Sequence, residues 1–168
     1  MSLIKIKFSL GVCILLLISF NAKSDQKAFE LLKDRFPVAI DNIYKGRYAI
    51  AERDYYMALI NNDNDVLAMY GLADSSYKQN NLVEARRWLD KILVIDTMHE
   101  YARMLRGQLH LLEGQWQSAL EDFLIVVNVN NTRKDVYIDL EVVYTNLGDS
   151  EMAKESLEMF NKLNTTEK

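Results

Sequence analysis

The sequence predicts an all-α solenoid of antiparallel helix pairs, on three observations. Alanine recurs at 51, 85, 119 and 153, each 34 residues after the last and without a gap. Five residues before each of them stands a residue suited to ending a helix: Gly46, Asn80, Gly114 and Gly148. The 168 residues hold one proline and six glycines, few breakers for a turn-rich sheet fold and a composition that favours long helices. A fixed period of this length marks an architecture in which each repeat is one supersecondary unit.

The elements follow in order. Residues 1–24 carry Lys5, Lys7 and Lys23 and no acid, and residues 8–20 form an uncharged apolar run. A membrane-spanning helix needs about 20 apolar residues, and the small residues Ala22 and Ser24 follow the run, so the pattern is that of a secretory signal peptide cut near Ser24 and Asp25. An uncleaved anchor is the alternative reading. Residues 25–31 are a lead-in, and residues 32–65, 66–99, 100–133 and 134–167 are four units. Pro37 falls inside the first helix expected of the first unit and is tolerated at a helix start. That helix therefore begins at Pro37, after a short separate helix with Ala28, Phe29, Leu31 and Leu32 on its apolar face.

Each unit is read as two helices joined by a tight turn. Glycine or asparagine at the turn supplies the left-handed conformation that ends the first helix. Alanine five residues on allows close helix approach. Tyr55, Leu89, Phe123 and Leu157, four further on, share its face. Trp88, Leu89, Ile92, Leu93 and Ile95, and then Leu120, Phe123, Leu124 and Val127, keep helical spacing. Asn81 with Glu84, Thr97 with Glu100, and Asp149 are the expected N-caps. The polar runs 61–65 and 130–132 link units.

Composition narrows the function. Apolar residues make up 49% and charged residues 26%, with a net charge of −4, which is globular rather than disordered. Without residues 1–24 the balance is 17 basic against 24 acidic side chains. Such a chain has no electrostatic reason to bind nucleic acid and is repelled by an anionic membrane surface. Cys13 is the single cysteine, so no disulfide framework or cysteine-based metal site is available to residues 25–168. His99 and His110 do not have metal-ligand spacing. The glycines stand singly and form no phosphate loop. Asp54, Asp74, Asp122 and Asp139 are expected to be scattered over helix faces. No catalytic constellation, metal site or cofactor site is predicted.

The segment from Tyr77 to Ala85, the residues Arg106, Gly107, Glu113, Gly114, Gln115, Trp116 and Ala119, and Tyr144 with Leu147, Gly148, Asp149 and Ala153 resemble the tetratricopeptide repeat family three times in register. The family's usual proline at the end of each unit is absent, with Asp63, Thr97 and Asn131 in its place. The resemblance implies a right-handed superhelical solenoid whose first helices line a concave groove that binds a protein or peptide. The groove positions it implies are Leu67, Tyr70, Asp74 and Tyr77, then Tyr101, Met104, Gln108 and Leu111, then Asp135, Ile138, Val142 and Thr145. No basic clamp for a terminal carboxylate is present, and the aromatic and aliphatic character suits an apolar or amphipathic segment. Met159, Phe160 and Leu163, near the last repeat's end, form a possible surface for self-association. Exported relatives of this kind help assemble envelope machines such as pili, secretion systems and polysaccharide exporters, so the resemblance implies a periplasmic scaffold. With residues 8–20 retained, it implies a membrane-tethered recruiter.

Overall fold

The computed structural model describes residues 26–165, so the segment expected to act as a signal peptide or anchor lies outside the described residues. These residues form nine helices and no strand: α1 (Gln26–Arg35), α2 (Pro37–Tyr44), α3 (Tyr48–Asn61), α4 (Val66–Lys78), α5 (Leu82–Ile95), α6 (Glu100–Leu112), α7 (Trp116–Val129), α8 (Lys134–Leu147) and α9 (Ser150–Thr165). The most extensive packing is within the pairs α4/α5, α6/α7 and α8/α9, with α2/α3 as a shorter first pair. The pairs stack in chain order, α3 against α4, α5 against α6 and α7 against α8.

The turns inside the pairs repeat the same hydrogen bond. The N–H of Arg47, Asn81, Gln115 and Asp149 donates to the carbonyl of Asn42, Ser76, His110 and Tyr144. This six-to-one closure needs a left-handed residue at its centre. Gly46, Asn80, Gly114 and Gly148 take it, with φ of 67°, 59°, 70° and 82°. The links between pairs have their own recurring device. Asn62 and Asp96, and Asn130 one period later, turn a side-chain oxygen to the N–H of Asn64, Met98 and Thr132 at 3.0–3.2 Å. This local Asx turn competes with continued helix and does here the work of a terminating proline.

α2 begins at Pro37 and α1 precedes it as a separate helix. Ala28 and Leu32 of α1 are buried, whereas Leu31 is exposed and is not part of its apolar face. The alanines at 51, 85, 119 and 153 are buried, and Tyr55, Leu89 and Phe123 are fully covered. Leu157 at the same register is 43% exposed, since no further pair packs against α9 among the described residues. Ile95 and Leu124, which keep the helical spacing of apolar residues, are also exposed.

Two of the three expected caps form: Asn81 accepts from the Glu84 N–H and Asp149 from the Met152 N–H. The third is corrected. Thr97 does not cap α6. The Asx turn at Asp96 carries the chain on, and His99 Nδ1 accepts from the Ala102 N–H at 3.2 Å.

Candidate protein-binding groove

The first helices α4, α6 and α8 bring the predicted wall positions into one series, but only part of that series reaches solvent. Leu67, Asp74 and Tyr77 of α4, Tyr101 of α6, and Asp135, Ile138 and Val142 of α8 are half-buried, and Thr145 is exposed. Tyr70, Met104, Gln108 and Leu111 are buried, a correction to the predicted wall. Their burial has visible causes. The Tyr70 ring lies 6.0 Å from Tyr101 and 6.5 Å from His99. The Gln108 amide donates to Asp139 Oδ2 at 3.2 Å across the contact between α6 and α8. Met104 and Leu111 belong to the hydrophobic core shared with α7, α8 and α9.

The polar wall residues are held in place. Asp74 pairs with Lys78 one turn along α4. Asp135 accepts from Arg133, which also pairs with Glu100 at 3.1 Å and sits over the Tyr101 ring at 5.5 Å. A half-buried apolar strip is thus flanked by carboxylates already engaged by the protein's own cations.

The carboxylates were not all legible as surface groups. Asp122 and Asp139 are buried. Asp122 receives Arg103 at 2.7 Å and Arg106 at 2.8 and 2.9 Å, and Arg106 also reaches Asp90 of α5 at 2.9 Å. The hydrogen bonds to Asp122 raise the pKa of Arg106, outweighing the opposing cost of burial. This network ties α5, α6 and α7 together. Its signal in the sequence was the spacing: Arg103 and Arg106 share a helix face, and Asp122 lies three residues after Ala119 on the packed side of its helix. His110 joins the same surface, 2.6 Å from Gln115 and within 3.3 Å of Arg86.

At the C-terminal end, Phe160 is 9% exposed and Met159 and Leu163 are half-buried. Phe160 is a core residue of the last pairs, a correction to its place on the expected end surface, whereas Met159 and Leu163 pack against that core and keep partial exposure. Among the described residues no group of histidine, cysteine and carboxylate side chains is placed to hold a metal, and no helix is long and apolar enough to cross a membrane.

Helix pairs of a fixed period, stacked with their first helices side by side, define a helix-pair repeat protein. The tetratricopeptide repeat family model matches residues 39–97. Solved structures share the architecture: a MamA protein aligns with a TM-score of 0.69 at 21% identity, over 83% of this chain and 75% of that one. A MamA RS-1 double mutant gives 0.70 at 19%, over 82% and 76%. TTC0263, a thermophilic tetratricopeptide protein of Thermus thermophilus, gives 0.64 at 20%, over 78% and 73%. DnaJ homolog subfamily C member 3 of Gallus gallus is 24% identical over 132 residues, and this chain spans 26% of that protein's length. The chain thus has the all-α superhelical solenoid fold of these solved structures, and its residues 39–97 are similar to the tetratricopeptide repeat.

Proposed function

We propose that this protein is a non-catalytic scaffold that holds a segment of a partner protein against the concave wall of its solenoid. The observation that carries the reading is the half-buried series Leu67, Tyr77, Tyr101, Ile138 and Val142, contributed by three successive first helices. Side chains that are partly covered by the fold already have much of their freedom restricted, so a partner that completes their burial gains apolar contact at low ordering cost. The partner is an apolar or amphipathic segment, lying along the strip as a helix or an extended chain. The fold alone does not select the pathway. The N-terminal sequence pattern supports export and a place in the periplasm or cell envelope, with assembly of an envelope machine as the setting. Retention of residues 8–20 gives a membrane-tethered recruiter instead, and sequencing the mature N-terminus separates the two.

The test of the groove is capture of partners from an envelope fraction by the wild-type chain and by Tyr101→Ala combined with Ile138→Ala. The double variant is expected to keep its helical circular dichroism and lose specific capture. Unchanged capture with intact helicity would place the contact off the concave wall and end this reading.

A further inference from the structure

His99 stands 34 residues after Asp65, and both precede a first helix. Both cap it: Asp65 Oδ1 accepts from the Ala68 N–H at 3.1 Å, and His99 Nδ1 accepts from the Ala102 N–H at 3.2 Å. The two acceptors differ in chemistry. A carboxylate accepts throughout the neutral range, whereas an imidazole nitrogen accepts only while it carries no proton. We propose that His99 is a pH-sensitive latch, whose protonation removes the N-cap of α6 and loosens the junction between the second and third helix pairs.

Two consequences of protonation act in the same direction. Nδ1 becomes a donor facing the Ala102 N–H, and a positive charge is placed at a helix N-terminus, where the backbone dipoles already carry positive charge. The surroundings are mixed. The Tyr70 ring of α4 and the Tyr101 ring of α6 flank the imidazole at 6.5 and 6.0 Å. Asp96 and Glu100 favour the proton, but burial is the larger influence and lowers the pKa of His99. Glu100 is engaged by Arg133, which also binds Asp135, and Arg103 reaches back to the Thr97 carbonyl at 2.9 Å. Those two guanidiniums are thus engaged by the carbonyl and carboxylates around the junction rather than by the ring.

The folded chain therefore binds this proton less readily than the unfolded chain. The junction has its full stability above the ordinary histidine range, near pH 6.5, and loses it as pH falls through that range toward the lower folded value. Tyr70 and Tyr101 both pack on the ring, so release also reshapes the groove wall. That consequence rests on the groove reading above, while the test does not.

Hydrogen exchange at the first turn of α6 is compared for the wild-type chain and His99→Asn at about pH 7.5 and about pH 5.5, on either side of the ordinary histidine range. Asparagine retains a capping oxygen without titrating. In the wild type, protection at Ala102 is expected to fall on acidification beyond the change seen in His99→Asn, by up to about tenfold per pH unit, the limit for one linked proton. His99→Asp, which copies Asp65, provides a second reference if the asparagine variant folds poorly. Imidazole nitrogen shifts at neutral pH are expected to show the proton on Nε2. Parallel acid responses in wild type and variant, or a neutral tautomer protonated on Nδ1, would overturn the proposal.

Discussion

Two glycines act through what they lack. A Cβ built on Gly71 lies 2.5 Å from the Tyr55 ring, and one built on Gly107 lies 2.5 Å from the Phe123 ring. Both rings are fully buried. Alanine is worth about 1 kcal/mol more than glycine in a helix interior, but overpacking a filled core costs about 1–3 kcal/mol. Gly107→Ala is therefore expected to lower stability, read as an earlier urea midpoint with unchanged slope. Tyr55 holds a second residue-scale tension, a buried hydroxyl with no hydrogen-bond partner. Burial, reinforced by the charges of Asp74 and Asp54, pushes its ionisation well above the usual tyrosine range. The folded chain keeps this proton after the unfolded chain has lost it. The corresponding stability is full below about pH 10 and is lost as pH rises above that value. Tyr55→Phe is expected to be at least as stable at neutral pH, by up to about 1 kcal/mol. Its alkaline denaturation should be shallower; an identical alkaline profile would show that Tyr55 does not contribute.

The elements are coupled by charge as well as by apolar contact. Arg106 of α6 reaches Asp90 of α5 on one side and Asp122 of α7 on the other. Surface ion pairs contribute little, but Asp122 is buried and satisfied by two guanidiniums that themselves retain some solvent contact. Breaking a buried pair costs about 3–5 kcal/mol, and the residual solvation of Arg103 and Arg106 places Asp122→Ala toward the lower end. Thermal and urea unfolding should both register the loss, with exchange protection falling in α6 and α7 before α2 and α3. Protection lost uniformly along the chain would mean that the network does not localise at this junction. The same elements show how far pattern reading reaches. The turns at Gly46, Asn80, Gly114 and Gly148 were legible because backbone sterics leave few residues for a left-handed position. The cap of α6 was not, because Thr97 and His99 are both capable acceptors and the Asx turn at Asp96 decides between them.

Across the whole molecule, one register position has different consequences in different units. Leu89 is fully buried between pairs, whereas Leu157, two periods later, is 43% exposed on the last pair. Leu89→Ala is expected to cost about 2–5 kcal/mol by lost burial and cavity formation. Leu157→Ala should fall within about 0.5 kcal/mol of wild type, as for most surface changes. Equal costs measured by chemical denaturation would show that α9 is covered in solution, as self-association through this end requires. The core falls into two clusters, and α6 contributes to both: Ala102, Leu105 and Leu109 join the residues of α1 to α5, while Met104 and Leu111 join those of α7 to α9. Repeat proteins are stabilised chiefly through neighbouring interfaces, so α6 is where a local change reaches both halves.

The sequence by itself determined the period, the turn positions, the buried alanine ladder and the all-α class, because each follows from local backbone preference or from a helical repeat of apolar residues. The candidate wall on three successive first helices came from the resemblance to the repeat family. Which wall residues remain open was a tertiary matter. Tyr70, Met104, Gln108 and Leu111 share the register of Tyr77, Ile138 and Val142, yet are closed by neighbouring rings, by Asp139 and by the packing of adjacent pairs. The burial of Asp122 was decided in the same way, since a helical period fixes the face a residue occupies and only the neighbouring helix fixes what that face meets.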